Sequence, residues 1–340
     1  MCNDDLIHHK NVTGGLGEWQ TEQGQVAEIS VMCAEYDPDF DWMMGYNRFF
    51  YNVTSQNVTM WFVGRCWVGE LFYTGCEWSL SFMANIGIRS DTGKPNSSPK
   101  SGSMPIIRTR REISSGHKGD GRMIPGQMGE KLDGRLIVQV GCPITIKIPT
   151  TDPDGDSVTC RFGKNYQECG EVCISFPYFS INQDLCELTY NGGGSEAMVS
   201  VAIIIEDHPD KTIYLNDGST SGVEFSSADS LSYVPLQFLV ALVSSDNPCN
   251  ARPSFTDDTP PDGQVVTAIT GVVYEMAVFA KPSATNESIT DISFIFPFGS
   301  SKSALKQLDD NAFRMNVTWE PSIEQVGNNL LCFIAKDSVG

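Results

Sequence analysis

At 340 residues the chain is too long for one comfortable hydrophobic core and fits two or three domains of ordinary size, of which we expect three. Its 42 Asp and Glu against 23 Lys and Arg give a formal charge of −19, which repels nucleic acid and anionic lipid and leaves cations or basic partners as natural counterparts. The longest apolar runs, VSVAIIIE at 199–206 and VPLQFLVALV at 234–243, fall well short of the ~20 residues of a membrane helix, so no membrane span is expected.

The opening MCNDDLIHHK has neither the basic nor the apolar region of a secretion signal, so any signal was removed, lies upstream of a fragment, or never existed. Beyond it, short runs of β-branched and aromatic residues alternate with turns of Gly, Pro, Asn and Asp, and no long stretch keeps a 3.6-residue apolar period. The fold class expected is all-β. Residues 37–82 carry four of the six tryptophans. An exposed aromatic face would suit sugar binding or adhesion, but aromatics bury large areas and favour strands, so we read the region as core. RSDTGKPNSSPKSGSMP at 89–105 reads as a boundary, and the polar, basic, Gly-rich stretch 106–135 as an inserted surface loop. Within it RTRR at 108–111 has the form cleaved by furin-type convertases, which would cut after Arg111.

CPITIKIP at 142–149 places Ile144, Ile146 and Ile148 on one face and Thr145 and Lys147 on the other, the period of a half-buried strand. DPDGD at 152–156 sets Asp152, Asp154 and Asp156 at alternate positions around a Gly, so three carboxylates could converge on calcium; the competing reading is a β-turn favoured by backbone preference alone. Glu206 and Asp207, closing the uniformly apolar AMVSVAIIIED, could add ligands, and that run suits a central strand covered on both sides. In SYVPLQFLVAL, Leu236, Phe238, Val240 and Leu242 share a face, and Pro235 marks an edge strand or the start of one. A Pro-, Asp- and Ser-rich linker at 244–264 precedes a new series of strands, giving domains 1–103, 104–245 and 246–340.

Eleven cysteines and six N-x-S/T sequons, at Asn11, Asn52, Asn57, Asn96, Asn286 and Asn316, point to an extracellular glycoprotein with N-linked glycans. The cysteine spacing fits neither paired zinc clusters nor a redox CxxC. Cys169 and Cys173 are close enough to staple a tight loop, Cys160 and Cys186 flank it, and Cys66 and Cys76 bracket a hairpin. Cys249 and Cys332 form the expected long-range bond, unless Cys332 pairs outside this sequence; Cys2, Cys33 and Cys142 have no assigned partner. Only His8, His9, His117 and His208 could serve as imidazole bases, none beside a nucleophile motif, and no catalytic residue is expected.

The final stretch, VTWEPSIEQVGNNLLCFIAKDSVG, resembles the signature of immunoglobulin-like and cadherin-like extracellular repeats, with a Trp-x-Pro strand end, a Gln-x-Gly turn and an x-A-x-D-S-x-G strand. TDPDGDSVTCRFG with VAIIIEDHPD resembles a second such module, and the likeness, covering roughly residues 80–340, is to the repeated ectodomains of large secreted animal proteins. It implies tandem immunoglobulin-like β-sandwiches and transfers no catalytic residue. On physical grounds Trp319 anchors one sheet, Pro321 stops its strand, and the turn at Gln325–Gly327 returns the chain to the opposite sheet. The strand LLCFIAKD would then be the penultimate one, so the third module lacks its last strand, which a continuing chain or a neighbouring molecule would supply. The function expected is that of a non-enzymatic structural or adhesive element of a matrix or filament, with copies of itself or other matrix proteins as partners. The alternative is a receptor-type ectodomain binding a glycan or protein.

Overall fold

A computed structural model of the chain describes residues 11–22, 24–37, 42–46, 52–53, 55–66, 77–101, 136–174, 177–216, 222–246, 248–249, 251–256, 259–295, 297, 299–308 and 311–338. Strands β1 (Asn11–Thr21), β2 (Gly24–Asp37), β3 (Trp42–Tyr46), β4 (Asn57–Cys66) and β5 (Glu77–Asn85) pair antiparallel in the order β5-β4-β1-β2-β3. Short strands β6 (Ile88–Arg89) and β7 (Lys100–Ser101) follow. The next series is β8 (Leu136–Gln139), β9 (Ile144–Lys147), β10 (Thr150–Thr151), β11 (Ser157–Phe162), β12 (Phe179–Asn182), β13 (Glu187–Tyr190), β14 (Ala197–His208), β15 (Ile213–Asn216), β16 (Val223–Phe225) and β17 (Ser232–Val243). β5 joins β17 at Met83↔Tyr233, so one sheet runs β11-β14-β17-β5-β4-β1-β2-β3 and crosses the 103/104 boundary expected from composition.

The three-stranded sheet β12-β13-β9 lies over β11, β14, β17 and β8, and the two layers share one core. The period of two decides what enters it. Leu236, Phe238, Val240 and Leu242 of β17 and Val199, Val201, Ile203 and Ile205 of β14 all point into this core, with Ile148 fully buried and Ile144 and Ile146 packed against it. Thr145 and Lys147 stay outside. The opposite face of β14 is covered too: Ala202 packs against Cys169 and Val172 of a single helical turn (Tyr166–Cys169) and the 3₁₀ segment after it (Gly170–Ile174). β14 therefore needs an unbroken apolar run, whereas one-sided strands alternate.

Pro235 stands near the start of β17, as its position suggested, and pairs with β14 through Ile204↔Pro235, while β17 as a whole lies between β14 and β5 in the sheet order. Its other side is open between Tyr233, where β5 pairs, and Val240, where β8 begins, so the missing N–H falls where only one neighbour runs alongside. Of the aromatics described in that region, Phe62 is fully buried, with ring centroids 4.7 Å from Trp78 and 5.8 Å from Trp19, while Trp61, Trp78 and Phe82 are half-buried. Gly64 opposite Trp78 makes this possible, since a Cβ there would stand 2.1 Å from the indole nitrogen.

The last module is a second sandwich. β18 (Ser254–Phe255), β19 (Tyr274–Lys281), β23 (Phe313–Trp319) and β21 (Ser301–Lys302), with β22 (Lys306–Gln307) also on β23, face the pair β20 (Ile289–Ile295) and β24 (Cys332–Asp337). Met276, Val278, Met315, Val317 and Ile292 fill the space between. The chain is thus all-β, built of mostly antiparallel sheets stacked in sandwiches.

Disulfides join Cys160 to Cys186 and Cys169 to Cys173. The long-range bond differs from expectation: Cys249 pairs with Cys142, and Cys332 is a free, half-buried thiol whose pKa burial pushes up. The reason is the parallel pairing of β8 with β17, Gln139 opposite Val243. Parallel strands leave the sheet at the same end, so the turn after β8 and the segment after β17 emerge together, with Cα atoms 5.2 Å apart. Cys76 and Arg111 lie outside the described residues, as does the whole of 106–135. Non-reducing peptide mapping is expected to join Cys142 to Cys249, and Cys249→Ala is expected to cost about 2–4 kcal/mol of stability, read in denaturant melts; a Cys249–Cys332 peptide would contradict the arrangement.

Candidate functional site

The densest polar cluster among the described residues is buried, and its centre is Arg89, only 3% exposed. β6 is held against β15 at Leu215↔Arg89, and a tight turn closed by Gly93 N–H to the Arg89 carbonyl (2.9 Å) aims the side chain inward. All five guanidinium donors are used. Nε and Nη2 fork onto Asp91 (3.0 and 3.1 Å), Nη2 and Nη1 fork onto Asp156, and Nη1 also reaches Asn96 Oδ1 at 2.8 Å. Asp154 stands 3.9 Å off. The guanidinium pKa rises, chiefly through the hydrogen bonds it donates to Asp156, and Asp91 is held below its ordinary range by the same arginine.

DPDGD forms a turn between β10 and β11 in which Asp152 Oδ1 accepts from the N–H of Asp154 (2.8 Å) and Asp156 (3.2 Å), while Gly155 takes φ +86°. Asp154 accepts from Ser97 N–H at 2.7 Å, and the Asp152 carbonyl from Asn328 Nδ2 at 3.1 Å, which ties the last module to this turn. The three expected carboxylates do converge, one oxygen from each within 4.8 Å of the others. What the sequence reading missed is the arginine between them. Its partner Asp156 is 67 positions away, so no local pattern links them; the only local trace is an Arg in a half-buried strand followed two residues later by Asp.

Asp207 belongs to the same network, whereas Glu206 turns aside to Arg161 at 3.0 Å. Asp207 Oδ1 accepts from Ser232 N–H (2.6 Å), and Ser232 Oγ accepts from Asn85 N–H and Asn96 Nδ2. The second oxygens of Asp152 and Asp207 are buried with no hydrogen-bond partner. Burial pushes Asp152 up to about 6; burial first, then the charge of Asp152, pushes Asp207 up to about 8.

Asn96 departs from its expected role as a glycan acceptor. It is buried, and Nδ2, the atom a glycan would be attached to, donates to the Asn85 carbonyl at 3.1 Å and to Ser232. Asn52, Asn57, Asn286 and Asn316 are exposed, and the side chain of Asn11 lies outside the described residues. His208 is a structural tie: one ring nitrogen meets Thr159 Oγ1 at 3.0 Å and the other the Asp229 carbonyl at 3.1 Å. His8, His9 and His117 lie outside the described residues.

Glycopeptide mapping of secreted protein is expected to find Asn96 unmodified, and Asn96→Ala is expected to cost about 1–3 kcal/mol by leaving an Arg89 donor unmet. A second expectation concerns pH. Asp207, faced by Asp152 and Asp156, holds its proton more tightly folded than unfolded, so its contribution is full below the ordinary carboxylate pKa of about 4 and is lost as pH rises through about 8. Metal-free protein should therefore lose melting temperature between those pH values, and Asp207→Asn, which keeps an oxygen for Ser232 and stays neutral, should flatten the slope and raise the melting temperature at the alkaline end.

No family model matches this chain, and no curated protein matches it. Among solved structures it matches a chimeric titin Z1Z2 functionalized with a KLER exogenous peptide from decorin, at 11% identity, covering 72% of this chain and 94% of that one with a TM-score of 0.18.

Proposed function

We propose that this protein is a non-enzymatic extracellular structural or adhesive glycoprotein whose β-sandwich modules associate with other copies or with matrix proteins. The observation that carries this reading is an apolar surface on the last module. Between β18 and β19 the chain exposes Val265, Ile269, Val272 and Val273, Val265 by 91%. The hydrogen bond from Gly271 N–H to the Pro321 carbonyl (2.9 Å) brings that segment against the one carrying Ile323, 75% exposed, and Val326. Soluble monomers rarely leave so many neighbouring aliphatic side chains in water, and such patches commonly serve association.

Three disulfides and four exposed sequons support an oxidising, extracellular setting. No described helix is long and apolar enough to cross a membrane. The use of both ring nitrogens of His208 in structural bonds supports the non-enzymatic reading. The inward packing of Phe62 on Trp19 and Trp78 favours the structural role over an ectodomain that reads glycans with exposed aromatic faces.

Light scattering and negative-stain microscopy of the secreted chain test this. Mass is expected to grow with concentration, and Ile269→Asp with Val272→Asp is expected to abolish the growth while the melting temperature stays put. A wild-type chain that remains a discrete monomer and binds no matrix protein would overturn the proposal.

A further inference from the structure

The Arg89 cluster contains more negative charge than its arginine can offset. Asp91, Asp152, Asp154, Asp156 and Asp207 are tied into one hydrogen-bonded or electrostatically coupled group around a single guanidinium. That guanidinium has no donor left over: its N–H groups are taken by Asp91, Asp156 and Asn96. Asp152 and Asp207, 3% and 0% exposed, each keep one buried oxygen with no donor in reach, and the charge of Asp152 disfavours that of Asp207. Buried carboxylate oxygens left in this state are strongly unfavourable, more so than a turn preference can offset.

We infer that this cluster is a divalent-cation site of the calcium class, in which Asp152 and Asp154, whose oxygens converge with one of Asp156 within 4.8 Å, take the ion together with the unpartnered oxygen of Asp207, while Arg89 holds Asp156 and Asp91 in place. A hard cation accepts only oxygen ligands and satisfies several at once, whereas a proton satisfies one. The division of labour follows from the contacts. Asp156 and Asp91 are engaged by the guanidinium, and one oxygen each of Asp152 and Asp207 is fixed by backbone N–H groups, so the second oxygens are oriented before any ion arrives. The ion would join the turn 152–156 to the ends of β14 and β17, and through Asn328 Nδ2 on the Asp152 carbonyl its loading would be felt in the last module. This inference stands apart from the structural or adhesive reading, since it concerns neither association nor location.

Calorimetric titration of the chelator-treated full chain with calcium chloride at neutral pH, with thermal melts alongside, tests it. The expected result is saturable binding and, at calcium about a hundredfold above Kd, a melting temperature higher by roughly 5 °C or more. Asp152→Asn and Asp207→Asn keep the oxygen used in each backbone bond and are each expected to weaken binding at least tenfold. Absence of both heat and thermal shift up to about 5 mM calcium, above the range of extracellular modules, would overturn the inference; so would wild-type affinity in both variants, which would put the ion elsewhere. A wild type indifferent to calcium but stabilised by Asp207→Asn would mean that the carboxyls hold protons instead. Should a variant fail to fold, the wild-type titration decides alone.

Discussion

A buried arginine with every donor engaged sets the geometry of the middle of this molecule. Arg89 reaches Asp91 on its own turn, Asp156 on the turn before β11, and Asn96 on the way to β7; through Asn96 and Ser232 it is coupled to the start of β17, and through Ser232 to the end of β14. Residues from either side of the polar 102–135 stretch therefore meet at one charge. Buried ion pairs contribute little net stability compared with apolar packing of the same volume, but they penalise every arrangement that leaves a member unpaired. That property suits a junction where chain segments of different origin must dock in one way.

Around that junction the energetics are ordinary. β14 is insulated on both faces, by β12, β13 and β9 on one side and by the short helical segment stapled by Cys169–Cys173 on the other. Arg161, linked to both Glu168 and Glu206, ties that helical turn to the edge of the sheet at 2.9 and 3.0 Å. Gln237 Nε2, donating to the carbonyls of Ser79 and Glu168, fills the stretch of β17 that neither β5 nor β8 covers. Apolar burial supplies the bulk of the driving force, and these polar ties fix register.

What could be read from sequence depended on range. Alternation over 142–149 and 232–242, and its absence over 197–205, report directly on how many faces a strand buries, and those patterns match the side chains found in the core. Cys169 and Cys173 are so close in sequence that few other partners compete. Other features had no local signal. The Cys142–Cys249 bond depends on β8 lying parallel to β17, a topological fact that nothing in either strand encodes. The sequon at Asn96 is a three-residue pattern blind to the arginine that buries it. The carboxylates of DPDGD were legible as a cluster, yet their charge balance was not, because Arg89 and Asp207 arrive from far away along the chain.

The Cys142–Cys249 bond bears on how the chain transmits force. Tension applied through the last module enters at residue 249 and passes across the sulfurs to residue 142, bypassing every residue between them. The 107-residue separation that the bond closes would otherwise yield roughly 350–380 Å of slack if pulled straight. Closed covalently, that length stays withheld even if β14 and β17 part, so the residues between 142 and 249 add no extension ahead of the sandwich that follows.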